Sequence, residues 1–155
     1  MKNNSKEGVC LIIKTVSLTQ PWATLVSAGV KTIETRSWPA KHRGPLAIHA
    51  SKNFPGYARE LCLQEPFRMA LKKEGYNDPA DLPLGVVVAI CRLDTVWKIE
   101  KESWTPPDQQ PFGDFTPGRY AWDLVEVTKL KEFEPAEGHL GLWDWRVPEN
   151  ILHTQ

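Results

Sequence analysis

A chain of 155 residues fits one domain with room for a real core, and 41% hydrophobic with 25% charged residues is ordinary for a globular protein. Nineteen basic and nineteen acidic side chains cancel, which argues against a protein that coats duplex nucleic acid through net charge while leaving room for a local basic cleft. Cys10, Cys62 and Cys91 form no C-x-x-C pair and are odd in number, so neither a disulfide framework nor a zinc site is expected.

Two usages stand out, seven tryptophans and thirteen prolines. Trp either fills a core or stacks on ligands. Frequent Pro and Gly cut the chain into short elements, which favours a small barrel or an α+β fold over a helix bundle. The apolar runs are far shorter than the roughly 18 residues of a membrane helix, and no signal-peptide pattern is present. No membrane association and a cytoplasmic, reducing compartment are therefore expected.

Residues 1–8 are polar and read as a tail. Val9–Leu18 holds Val9, Leu11, Ile12, Ile13, Val16 and Leu18 with one lysine inside it, and reads as a buried strand. Thr19-Gln20-Pro21 reads as a helix start, with Thr19 as the cap. Trp22, Leu25, Val26 and Gly29 follow at helical spacing, with Gly29 suited to end the helix. The chain then enters Gly29-Val30-Lys31-Thr32-Ile33-Glu34-Thr35-Arg36, a G-x-K-x-x-E-x-R stretch followed by Ser37-Trp38. On a strand from Lys31 to Trp38, side chains alternate, so Thr32, Glu34, Arg36 and Trp38 share a face, with Lys31 at the hinge. An acid, a guanidinium and an indole on one face suit a polar planar or anionic ligand. The competing reading is a surface ion pair on an edge strand, worth little.

Lys41, His42 and Arg43 form a basic turn, solvated or touching phosphate. Pro45–Ser51 reads as a strand with Leu46, Ile48 and Ala50 on one face, and Ala47, His49 and Ser51 on the other, with Lys52 next. No aspartate lies near in sequence to complete a triad with His49 and Ser51. Phe54–Gly75 is helical in character, split at Pro66, with a stripe of Tyr57, Leu61, Met69 and Leu71. Asn77–Pro83 is a loop. Leu84–Leu93 is a central strand, and Asp94–Pro111 reads as a loop or short helix over a barrel mouth. Phe112–Gly118 is turn-rich. Arg119–Val127 returns to strand, with Arg119 placed to reach a cleft and Tyr120, Trp122 and Leu124 on one face. Leu130–Pro135 reads as a variable stretch. Gly138–Trp145 is a turn and strand with Trp143 and Trp145 in step, and 151–155 is a tail. His42, His49, His139 and His153 lack ligand spacing, so no metal or cofactor is expected.

Several blocks in order carry a family resemblance. Ser17-Leu18-Thr19-Gln20-Pro21-Trp22-Ala23, the G-x-K-x-x-E-x-R stretch and Arg43-Gly44-Pro45-Leu46-Ala47-Ile48-His49-Ala50-Ser51-Lys52 come first. Pro117-Gly118-Arg119-Tyr120-Ala121-Trp122 and Gly141-Leu142-Trp143-Asp144-Trp145 follow. Together they resemble the ASCH domain family, from about Leu11 to Trp145. The resemblance implies one domain over residues 9–150 with an α+β fold. That fold would be a PUA-like small mixed β-barrel flanked by short helices, with a cleft lined by the G-x-K-x-x-E-x-R residues.

The resemblance also implies association with RNA, single-stranded nucleic acid, a nucleotide or a modified nucleoside. Gln20, Trp22, Lys31, Glu34, Arg36, Trp38, His49, Ser51, Lys52, Arg119 and Trp122 are the expected binding residues. Trp22, Trp38 and Trp122 are placed near the cleft, and Trp143 and Trp145 are read as structural. Glu34 would accept from an exocyclic amine, with Arg36 or Lys31 holding a phosphate or orienting Glu34. The alternative is a metal-independent hydrolase, of RNA or of N4-acetylcytidine as in related amidohydrolases, with Lys31 and Glu34 as the acid–base pair. This chain carries Glu34 where those amidohydrolases carry a threonine. A protein-interaction adaptor is the third reading.

Overall fold

The computed structural model describes residues 10–152. Its strands in chain order are β1 (Ile12–Leu18), β2 (Ile33–Arg36), β3 (Gly44–Ala50), β4 (Val86–Lys98), β5 (Tyr120–Pro135) and β6 (Leu142–Arg146). The helices are α1 (Trp22–Ser27), α2 (Gly56–Leu61), α3 (Phe67–Lys73) and α4 (Glu149–Leu152). The strands form one six-stranded mixed sheet in the order β2-β5-β4-β3-β1-β6. Only the β1–β3 pair is parallel; the other ladders are antiparallel. This is a mixed α+β fold of the PUA-like kind. Its ladders run from β2 at one edge to β6 at the other, and none among the described residues joins those two strands into a closed barrel.

Alternation decides which side chains are buried against what. Leu46, Ile48 and Ala50 of β3 share a cluster with Val16 and Leu18 of β1, Ala23 and Val26 of α1, and Trp122 of β5. Ala47, one step out of phase, joins Ile13, Leu130, Trp143 and Trp145 in a second cluster. The strand expected over Pro45–Ser51 thus has the phase read from its sequence. A third cluster fuses Leu25 of α1 with Ala58, Cys62, Phe67 and Leu71, so α2 and α3 dock on α1.

Several expectations need correction. The apolar stripe on the helices is Ala58, Cys62, Phe67 and Leu71, while Tyr57 and Met69 are exposed. The helices are separate pieces of six and seven residues, so no single helical phase runs across Pro66. Asp94–Lys98 is not loop: it continues β4, pairing Thr95, Val96 and Trp97 with Asp123, Trp122 and Ala121. Leu130–Pro135 likewise belongs to β5, a strand of 16 residues. That strand is interrupted by register shifts, and Glu126 within it takes φ 53°. Bulges of this kind let a long strand bend without losing its partner.

At the start of α1, the Thr19 side chain does not cap. Its carbonyl accepts from Trp22 N–H and Ala23 N–H, and Gln20 Oε1 accepts the Thr24 N–H at 3.0 Å. Gly29 ends the helix at φ +78°, where an L side chain is strained. At the C-terminal end, Ile151 is buried in α4 and packs into the cluster of Trp143 and Trp145, rather than lying in a tail. The expected tail over residues 1–8, residue 9 at the start of the first strand, and residues 153–155 lie outside the described residues. No described helix is long and apolar enough to cross a membrane.

Candidate functional site

The G-x-K-x-x-E-x-R stretch leaves α1 through Gly29 and becomes β2, which pairs with the first residues of β5. Burial of its charges is the first unusual fact: Lys31 is 2% exposed and Glu34 9%. Buried charges are costly unless paired and hydrogen-bonded, and here every one is. Lys31 Nζ donates to Ile33 O and Phe112 O, each at 2.8 Å, and lies 3.4 Å from Glu34 Oε1. Glu34 Oε2 accepts from Arg36 Nε at 2.8 Å. Arg36 Nη2 then donates to Ser17 O at 2.9 Å. The three charged groups form a fixed row, cation–carboxylate–cation.

Desolvation drives the Lys31 pKa below its ordinary value, with the Glu34 carboxylate pulling the other way and Arg36 adding to the depression. Three N–H directions of the ammonium meet three acceptors. The Lys31 ammonium is thus taken up within the protein, with the Glu34 carboxylate beside it. Each Glu34 oxygen has a single protein partner, which leaves acceptor capacity.

The row lies along a cleft of about 580 Å³. Trp22 of α1, Tyr57 and Leu61 of α2, and Phe67 of α3 line it together with Phe112, Asp114 and Arg119, and the Phe67 and Phe112 rings meet edge to face at 5.3 Å. Tyr57 is 63% exposed, a ring standing at the mouth. Trp22 is half-buried and meets Phe67 edge to face at 6.2 Å. Arg119 is held by Thr35 O at 3.2 Å and by Asp114. The Thr116 hydroxyl and N–H, with Arg119 adding a smaller pull, hold the Asp114 carboxyl below its usual range.

The loop before β5 is pinned by a residue the sequence did not single out. Gln109, 2% exposed, accepts the Thr32 N–H at 2.8 Å and donates to Val30 O at 3.1 Å. Together with Lys31 it ties the loop before β5 to the entry of β2. A Gln in the Gln109-Gln110 pair among prolines carries no signal for that role; only the tertiary approach reveals it.

A second cleft of about 690 Å³ adjoins the first and shares Ser17 and Arg36 with it. His49, Ser51 and Lys52 line this one together with Glu137 and His139. His49 is clamped. Its Nε2 faces Ala136 O at 2.8 Å, which only accepts, so Nε2 carries the proton. Nδ1 then accepts from the Ser17 hydroxyl at 2.9 Å, and Ser17 Oγ accepts from Trp143 Nε1 at 3.1 Å. Burial pushes the His49 pKa down, so the ring is neutral at pH 7. The Ser17–His49 pairing follows the parallel register of β1 on β3, which sequence spacing does not disclose.

Three expected binding residues lie elsewhere. Trp122 is fully buried, meeting Trp38 edge to face at 4.9 Å. It sits directly across from Glu34 in the β2–β5 ladder, and its ring serves the core. Trp38 packs on that same core cluster and does not line either cleft. Gln20 is fully buried, capping α1 and donating to Pro83 O at 2.9 Å. The basic turn of Lys41, His42 and Arg43 is in neither cleft. Burial raises Cys62 to about 11 and Cys91 to about 12, so both thiols are protonated at neutral pH.

The ASCH domain profile matches residues 16–145, nearly the whole described chain. The chain belongs to the ASCH domain family. Activating signal cointegrator 1 of Homo sapiens and of Mus musculus are each 37% identical over 86 residues. That match covers 56% of this chain but 14% of theirs, so this ASCH domain spans a small part of those relatives. The crystal structure of ASCH from Zymomonas mobilis aligns with a TM-score of 0.54 at 12% identity, covering 90% of each chain. At that identity the likeness is one of fold.

Proposed function

We propose that this ASCH domain binds a nucleoside-bearing ligand, RNA or another single strand, in the first cleft. The observation that carries the reading is the Glu34 carboxylate. It is held in place by Lys31 and Arg36 with acceptor capacity to spare, in a cleft whose mouth carries the rings of Trp22 and Tyr57. A fixed carboxylate accepts from an exocyclic amine on a base edge, and aromatic rings stack its face. The volume falls within the roughly 300–1,000 Å³ of small-molecule sites. The link of ASCH domains to RNA binding or RNA cleavage supports the same ligand class.

The test is titration with free nucleosides and short single-stranded oligonucleotides at two salt concentrations. Saturable binding of both is expected, with the oligonucleotide weakening as salt rises and Arg36→Ala weakening both. No saturable binding of either removes the reading.

One observation favours hydrolysis as a second reading. A lysine whose pKa is lowered by burial stands 3.4 Å from a carboxylate that lines a cleft, which is how acid–base pairs are tuned. Acetylated nucleosides and short RNA should then be cleaved by the wild type and not by Lys31→Ala. Equal rates in both dispose of that reading.

A further inference from the structure

The two clefts meet at Ser17 and Arg36 and differ in chemistry. The first offers rings and two carboxylates, Glu34 and Asp114, whose cations Lys31, Arg36 and Arg119 are paired to them. The second gathers Arg36, Ser51, Lys52 and His139 around a single carboxylate, Glu137, a lining that favours an anion. Among the described residues Lys52 enters no ion pair, so its ammonium is free for a ligand. Arg36 stands at the junction, and its bonds to Glu34 and Ser17 use two of five N–H groups.

The wall beside this junction is rigid. The relay Trp143–Ser17–His49–Ala136 fixes every polar atom in it. Gly138 passes directly against the relay: a Cβ there would lie 2.7 Å from His49 Cε1 and 2.9 Å from Ser17 Oγ. The bare backbone at this position lets the loop of Glu137 and His139 pack directly against the relay at the edge of the cleft.

We infer that the two clefts form one elongated site for a nucleoside phosphate. The base occupies the first cleft, the phosphate occupies the second beside Lys52, and Arg36 lies between them. This rests on the nucleoside reading above and adds the phosphate as the discriminating group. The phosphate belongs either to a free nucleotide or to the linkage of a strand, and the probes separate these two sources.

The experiment is calorimetric titration of wild type, Lys52→Ala and Gly138→Ala with four kinds of probe: a nucleoside, its 5′- and 3′-monophosphates, a dinucleoside monophosphate, and inorganic phosphate. Lys52 is exposed, so its variant folds even if the alanine at 138 proves too crowded. A phosphorylated probe should bind the wild type about tenfold or more tighter than the nucleoside, and that advantage should shrink severalfold in Lys52→Ala. Preference for the dinucleoside monophosphate identifies a strand, and preference for a monophosphate identifies a free nucleotide. If the nucleoside binds and phosphate adds less than twofold, the inference falls while the first-cleft reading survives. If phosphate helps equally in wild type and Lys52→Ala, the phosphate sits elsewhere and the inference also falls. If no probe binds, both fall.

Discussion

The two edge strands of the sheet, β2 and β6, are of similar length and make opposite use of their side chains. In β6, Trp143 and Trp145 point into the core while Asp144 and Arg146 point out. In β2 the carboxylate of Glu34 is turned inward, with Lys31 arriving from the hinge and Arg36 closing the row. Aromatic rings can be buried anywhere that is apolar, so their presence says little about where a ligand goes. Buried charges must find partners, so wherever they gather the fold has been arranged around them. In this protein the tryptophans of the sheet serve the fold and the charges of β2 mark the cleft.

Mutations break this comparison most sharply at Trp122, which sits opposite Glu34 yet belongs to the core. Trp122→Ala should cost about 3–5 kcal/mol in urea unfolding. Trp22→Ala, at the half-buried cleft side, should cost clearly less stability and lose ligand binding instead.

Next in size is Glu34→Gln, which leaves a buried ammonium without its carboxylate and should cost about 3 kcal/mol near neutral pH. The sign with pH is distinctive. Lys31 already has a folded-state pKa below 10.5, so the unfolded chain binds more protons between that lowered value and 10.5, and stability rises with pH across this window. Removing the carboxylate widens the window downward. The deficit of Glu34→Gln should therefore shrink as pH is raised, and a deficit constant to pH 10 would contradict the assigned pairing.

A smaller effect belongs to the wall of the second cleft. His49 has a folded-state pKa below 6.5. The unfolded chain takes up the proton first as pH falls, so stability should drop from pH 6.5 down to the folded-state value and level off below it. Thermal melts of wild type and His49→Gln should converge across that range as the wild type loses its advantage.

The smallest change is expected on the outer face between β1 and β6. Lys14 and Asp144 lie 2.8 Å apart with side chains 44% and 59% exposed. Lys14→Ala should stay within about 0.5 kcal/mol of wild type by urea unfolding, against the several kcal/mol at the inward pair of β2.

Much of the frame was legible because it depends on local chemistry. The phase of β3, the end of α1 at Gly29 and the shared face of Glu34 and Arg36 follow from periodicity and backbone geometry alone. Side-chain placement at long range was not legible. Trp122 and Trp38 look like stacking residues until the β2–β5 pairing packs them together. Ser17 becomes part of a site only when β1 lies parallel to β3 and brings His49 beside it. Gln109 acquires its role when its loop reaches Val30 and Thr32, 77 residues or more away in sequence. Tyr57 looks like part of a buried stripe until α2 docks through Ala58 and Cys62 and leaves its ring exposed.

The most direct test of the central claim is a crystal structure of the protein soaked with a nucleoside monophosphate. The account predicts a base between the Tyr57 ring and the Glu34 carboxylate, with its polar edge toward Glu34 and its phosphate beyond Arg36. An ordered nucleotide on the basic turn of Lys41 to Arg43, with the cleft along Glu34 empty at a concentration that saturates binding in solution, would contradict it.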